Sequence, residues 1–175
     1  MKQIWMKLWT KFESPYLKHS ARLGDVIGAI QVLGSTPWHA IMPKHWDDFL
    51  GKASSTADGK WDEILKEHTE FFRIEENGDA ALRWRAAYHC NFNPRTFREY
   101  SPEEREALSE EEKKKLHRKP LTPEQIETLI RSATELHARA LARLQDVRWW
   151  IPLAVGLIGG LLAGLGLGGK TSIHF

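Results

Sequence analysis

The sequence predicts a mostly α chain, α+β in its N-terminal domain, with a helical stalk and a single C-terminal transmembrane helix. Three observations predict it. Residues 1–148 hold all 23 acidic residues and all but one of the 25 basic ones, whereas residues 149–169 hold no charge at all. Upstream of residue 90, apolar residues recur at helical spacing with one alternating stretch near the end. From Pro123 onward, neither proline nor glycine breaks the pattern until Pro152.

Composition narrows the classes of function. The charged body has a net charge of about +1, one less than the whole chain's +2, so no global field gathers nucleic acid and none is expected as a partner. The single cysteine, Cys90, excludes an internal disulfide and a thiolate zinc cluster.

Residues 1–13 open with MKQIWMKLWTKF. On a helix, Ile4, Leu8, Phe12, Trp5 and Trp9 fall within about 140° of arc, opposite Lys7 and Lys11. A Trp/Leu/Phe face against lysines suits a helix in a membrane interface, with Trp5 and Trp9 as interfacial anchors. The alternative is that this face docks on the body. Interspersed lysines and the lack of a continuous apolar core exclude a secretory signal, so the body is expected to stay cytoplasmic.

Residues 20–100 read as one domain. Leu23, Val26, Ile27, Ile30 and Leu33 give a first helix ended by Gly34; KHWDDFLG gives a short second; KWDEILKEHTEFF gives a third, with Trp61, Ile64, Leu65 and His68 on one side. In FFRIEENGDAALRWRAAY, Phe72, Ile74, Leu82 and Trp84 alternate with polar neighbours, and Asn77-Gly78 supplies a hairpin turn. In element order and length, residues 20–90 resemble a winged helix. That fold serves many roles. The third helix carries Asp62, Glu63, Glu67 and Glu70 against Lys60 and Lys66, and the hairpin tip is acidic. A helix so acidic repels a phosphate backbone; the resemblance implies a protein-contact module. Arg83 and Arg85, by alternation, share one strand face beside Arg73.

Residues 101–121 form a charged helical connector. Ser101 with Glu104, and Ser109 with Glu112, have the spacing of capping boxes, and Thr122 with Gln125 repeats the device at the head of the stalk. In the stalk, 122–148, Ile126, Ile130, Ala133, His137, Ala140, Leu144 and Val147 follow one another at steps of four and three, the spacing of a heptad seam. Such a seam fits a self-paired coil or a face packed on the protein's own body.

Residues 149–169 are expected to span a bilayer. Ile151–Gly169 is uncharged and about 30 Å long as a helix, and Trp149 and Trp150 sit where an aromatic belt belongs. Arg131, Arg139, Arg143 and Arg148 precede the run and only Lys170 follows it, which sends residues 170–175 across as a short trans-side tail. Gly156, Gly160, Gly164 and Gly168 line one face, and Gly159 and Ala163 stand beside them. Small residues four apart let helices approach backbone to backbone.

No residue pattern announces catalysis, a cofactor or a metal. His39, His45, Asp47, Asp48, His89 and Cys90 fit none of the hydrolase, phosphate-loop, zinc or dinucleotide signatures. The histidines beside Trp38 and Trp46 are expected to pack, and Cys90 to be structural. The reading is therefore a tail-anchored, single-pass scaffold, not an enzyme, in a lipid bilayer. Its domain binds an unknown cytoplasmic protein, and its span forms a homo-oligomer or docks on another transmembrane helix. Two alternatives stand beside it: a membrane-disrupting or pore-forming effector gated by the domain, and an accessory subunit of a larger membrane complex.

Overall fold

The structure, a computed structural model, describes residues 14–42, 45–148, 152–153, 155–157 and 159–160. The chain forms two compact units, Met1–His137 and Ala138–Phe175.

A 3-10 turn, Pro15–Leu17, precedes the first helix, α1 (Arg22–Ser35). Val26, Ala29, Ile30 and Leu33 lie three and four apart on α1, and all four are fully buried. Asp25 turns inward and accepts from the backbone amides of Ser54 and Ser55 at 3.1 and 2.7 Å, which pins the polar loop before residue 60. β1 (Ala40–Ile41), α2 (Trp46–Leu50) and α3 (Asp62–Glu67) follow. Trp46 and Trp61 stack with ring centroids 5.9 Å apart, and Trp61 Nε1 donates to the Gly51 carbonyl at 2.9 Å. The third helix is shorter than its sequence suggested. It stops at Glu67 because His68 leaves helical geometry, and its carbonyl accepts from the amides of Phe71 and Phe72.

β2 (Phe72–Ile74) and β3 (Ala80–Leu82) form the hairpin, and β1 joins them in the antiparallel order β1-β3-β2. Ala81 stands between Ala40 and Arg73, and Ala80 between Ile41 and Ile74. In the turn only Gly78 takes a left-handed conformation, φ 87°, and its amide donates to Glu75 O at 2.9 Å. The alternating apolar positions Phe72, Ile74, Leu82 and Trp84 do not share one environment. Phe72 and Leu82 are buried, but Ile74 and Trp84 are exposed. The strand ends at Leu82, and the chain turns through a 3-10 segment, Trp84–Ala87.

The second half of this unit is built on another sheet. β4 (Cys90–Asn93), β5 (Arg98–Glu99) and β6 (His117–Arg118) pair antiparallel in the order β5-β4-β6. The stretch between β5 and β6 holds α4 (Pro102–Glu106) and α5 (Glu110–Lys113). Both carry the reciprocal bonds their spacing called for: the Glu104 amide donates to Ser101 Oγ at 3.2 Å and the Ser101 amide to Glu104 Oε2 at 2.9 Å, with Ser109 and Glu112 doing the same. The charged connector therefore returns to the body as a strand.

α6 (Pro123–Arg148) starts at a third reciprocal cap, between Thr122 and Gln125. Its first turn passes over Gly34. A Cβ at Gly34 would lie 2.8 Å from Ile126 Cγ1, so only glycine admits the approach, and the Leu121 amide donates to Gly34 O at 2.9 Å.

The membrane-spanning part of the expected fold class is corrected. Among the described residues, no helix is long and apolar enough to cross a membrane. The long helix, α6, is studded with charge at Glu124, Glu127, Arg131, Glu135, Arg139, Arg143 and Asp146, each costly in hydrocarbon. The apolar residues described beyond it come as the pieces 152–153, 155–157 and 159–160. The transmembrane helix at 149–169, the tail-anchored and membrane description, and the single-pass localisation with its cytoplasmic domain are accordingly withdrawn. Trp5 and Trp9, with all of residues 1–13, lie outside the described residues, as do Trp149, Trp150, Ala163, Gly164, Gly168 and residues 170–175.

Candidate functional site

Three polar arrangements inside the N-terminal unit have the residue types that chemistry uses. The first is centred on Arg85. The turn that ends β3 points this guanidinium inward, where it is 1% exposed. Nη1 donates to the carbonyls of Leu33, Thr36 and Trp38 at 2.8, 2.9 and 3.0 Å, and Nη2 donates to Arg118 O. Helices end on unsatisfied carbonyls at the negative pole of their dipole, so a cation there is doubly favoured. Burial, with Arg118 nearby, lowers the Arg85 pKa to about 10, leaving it charged at neutral pH. One side chain thus ties the end of α1, the approach to β1 and β6 together. Arg83, its supposed neighbour on a strand face, points elsewhere and donates from Nε to Phe72 O at 3.1 Å.

The second arrangement lies beside it. His39 Nδ1 and His117 Nδ1 are 2.7 Å apart, and Glu75 lies 4.0 Å from His39 Nε2. One ring must donate and the other accept, which requires the accepting ring to be neutral. Burial, then His117, Arg118, Arg85 and Arg73, lowers His39 to about 4; burial and Arg85 lower His117 as well. The pair bridges the approach to β1 and β6. Among the described residues, no three His, Cys, Asp or Glu side chains converge as metal ligands.

The third is a Tyr-Glu-His trio. Tyr16 Oη donates to Glu70 Oε1 at 2.9 Å, His68 Nδ1 lies 3.1 Å from the same oxygen, and the Tyr16 and His68 rings meet edge-on at 4.5 Å. Burial opposes ionisation of Glu70, but bonds from His68, its own amide and Tyr16 outweigh it and hold the carboxyl below its ordinary range. Burial first, then Glu70, pushes the Tyr16 hydroxyl far above its ordinary range. Tyr16 and His68 are buried while Glu70 stands exposed at the edge, and the phenol holds its proton. The trio serves as a part-buried clamp on the 3-10 turn. Beside it, the fully buried Arg22 donates from Nη2 to Glu63 at 2.6 Å.

The other sequence candidates are dispersed. His45 is exposed and lies 3.3 Å from Asp48. Cys90 is free and half-buried, and its carbonyl accepts from Arg105 Nε at 3.2 Å. Along the seam, Ile126 reaches Gly34, Ile130 is half-buried, Ala133 is fully buried, and the His137 ring lies 6.0 Å from that of Tyr16. The first half of the seam is therefore filled by the protein's own body. Within the second unit, Ala140 is buried while Leu141 and Leu144 are exposed, and the Val147 side chain lies outside the described residues. Further on, Leu153, Val155 and Leu157 are exposed, and a Cβ on Gly156, Gly159 or Gly160 would meet nothing within 4 Å.

No protein-family model, curated protein or solved structure matches this chain. The site is read from its own geometry alone. What that geometry offers is polar clusters bonded within the unit, and apolar side chains outside.

Some of these positions gave no separate signal in the sequence. Arg85 and His117 become important through carbonyls and a ring brought from distant segments. Phe97, exposed at the β4–β5 turn, had a local signal in the Asn93-Pro94 pair that opens its loop.

Proposed function

We propose that this chain works by association, as a scaffold that pairs with further copies through its C-terminal helical run and engages protein through its N-terminal unit. The observation supporting this is that Leu141, Leu144, Leu153, Val155 and Leu157 are exposed by 37% to 69%, and that among the described residues a Cβ on Gly156, Gly159 or Gly160 would meet nothing within 4 Å. Exposed apolar side chains on a helix are where a protein contact is expected, and glycines among them let a second backbone come close. The N-terminal unit supports the same reading, since His39, His117, His68 and Tyr16 are committed to internal bonds and no step of chemistry is assigned to them.

The test is the molar mass of the purified full-length chain by light scattering, beside Gly160→Leu. A defined oligomer that dissociates in the variant is the expected outcome. A monomer indifferent to the substitution would overturn self-association through this run.

A further inference from the structure

We propose that the β4–β5 hairpin tip of one copy seats in the hollow beside β2 of a second copy, making a head-to-tail contact between N-terminal units. This deepens the association reading and rests on it. The tip is the loop between Asn93 and Arg98, which pair across β4 and β5. Asn93 Oδ1 accepts from the amides of Arg95 and Thr96 at 3.0 and 3.4 Å, which folds the loop tightly. Its last residue, Phe97, then takes a left-handed backbone conformation, φ 53°, the only non-glycine to do so among the described residues. Glycine or asparagine adopts that conformation at little cost; a bulky aromatic does not.

Nor does Phe97 gain burial in return. It is 69% exposed, with only the edge of the Phe92 ring nearby at 6.1 Å. An aromatic that is both strained and exposed does nothing for the single chain, and such residues gather at binding sites. Arg95, beside it, is exposed and belongs to no ion pair among the described residues.

The receiving surface has the complementary features. A shallow, open hollow of about 500 Å³ is lined by Arg73, Ile74, Glu75, Glu76 and Asn77. Its apolar element is Ile74, the strand residue that alternation would have buried and that the structure leaves 40% exposed. Glu75 is already engaged by Arg73 at 2.5 Å, whereas Glu76 belongs to no ion pair among the described residues. Phe97 therefore meets Ile74, and the free cation of Arg95 meets the free carboxylate of Glu76.

When each copy gives its tip to one neighbour and its hollow to another, the contact is heterologous and leads to rings or filaments. It is small, and it gains strength from the high local concentration that C-terminal pairing provides.

The experiment is sedimentation of the full-length chain over a range of concentrations. Wild type is expected to grow in mass with concentration beyond its smallest oligomer. Arg95→Glu or Glu76→Arg alone should stop that growth, and an equimolar mixture of the two should restore it, because each then offers the charge that the other's altered patch requires. Phe97→Gly should weaken the growth step by about 30-fold, the effect of removing an aromatic anchor, while resisting urea at least as well as wild type. Growth unchanged in all three variants, or a mixture no better than its components, overturns the tip-in-hollow contact; the association reading survives if Gly160→Leu still dissociates the oligomer. If Gly160→Leu has no effect while the tip and hollow variants abolish growth, this contact stands and C-terminal pairing falls.

Discussion

The two ends of the same helical seam have different fates. At Ile126 and Ala133 the seam is covered: Ile126 reaches Gly34, and Ala133 has no exposure. At Ala140 the seam is still buried, and at Leu144 the same spacing continues with the side chain left in the open, as does its off-seam neighbour Leu141. A heptad pattern states that one face is apolar without naming what covers it. The difference lies in how each part is held. The first half of α6 is fastened by its cap, by the Leu121 bond to Gly34, and by β6 just upstream, itself fastened by Arg85. From Leu141 on, exposed apolar side chains are what the proposed partner contact would cover.

The largest way to break the comparison is to unfasten the covered half. Arg85→Met keeps much of the side-chain volume but strands four carbonyls, three of them at the end of α1 and the approach to β1. Buried acceptors left without donors are costly, and a loss of about 3–5 kcal/mol is expected. Urea unfolding at neutral pH checks it. A midpoint within error of wild type would mean that the covered half does not depend on this guanidinium.

A smaller effect comes from acid. His39 titrates at about 4 in the folded chain against an ordinary 6.5, so as pH falls the unfolded chain takes up the proton first. The pair's contribution is present in full above 6.5, is lost between 6.5 and 4, and changes no further below that. The loss is roughly 3 kcal/mol from His39, and His117, lowered by the same burial, adds in the same direction. Urea midpoints at a series of pH values should show the decline in wild type and a flatter limb in His39→Phe. Carboxylates such as Glu70 lose stability at lower pH in both chains and cancel in the difference. Parallel limbs would show that the pair does not hold β6.

How much of this could be read in advance depends on the distance over which each feature is decided. The three capping boxes at Ser101, Ser109 and Thr122 were legible because each is settled within four residues. The buried face of α1 was legible because helical period and burial agree. The alternation misled at Trp84 because the strand ends at Leu82, where Arg85 is drawn to carbonyls some fifty residues away in sequence. β1 and β6, two residues each, have no period of their own to show. The expected membrane span rested on a long uncharged run, whereas the long described helix is the charged one. Of the candidate surface, the glycines and seam were visible beforehand. The strained exposure of Phe97 was not, since it needs the backbone angle to be seen.

The subtlest test places one substitution in each half of the seam. Ala133→Leu adds three heavy atoms where there is no exposed surface to receive them, and overpacking of that kind costs about 1–3 kcal/mol. Leu144→Ala removes three heavy atoms from a side chain already 37% exposed, so the single chain should lose about 0.5 kcal/mol or less. The signs reverse for assembly. Ala133→Leu should leave the oligomer's mass unchanged under conditions where it is folded, because that face is filled from within. Leu144→Ala should weaken the oligomer several-fold, because its surface is buried only when a second copy arrives. Unfolding and light scattering on the same two variants read both columns of that contrast. A Leu144→Ala chain that loses stability as Ala133→Leu does, yet assembles normally, would mean that the second half is covered by the chain itself and that the contrast between the two halves is false.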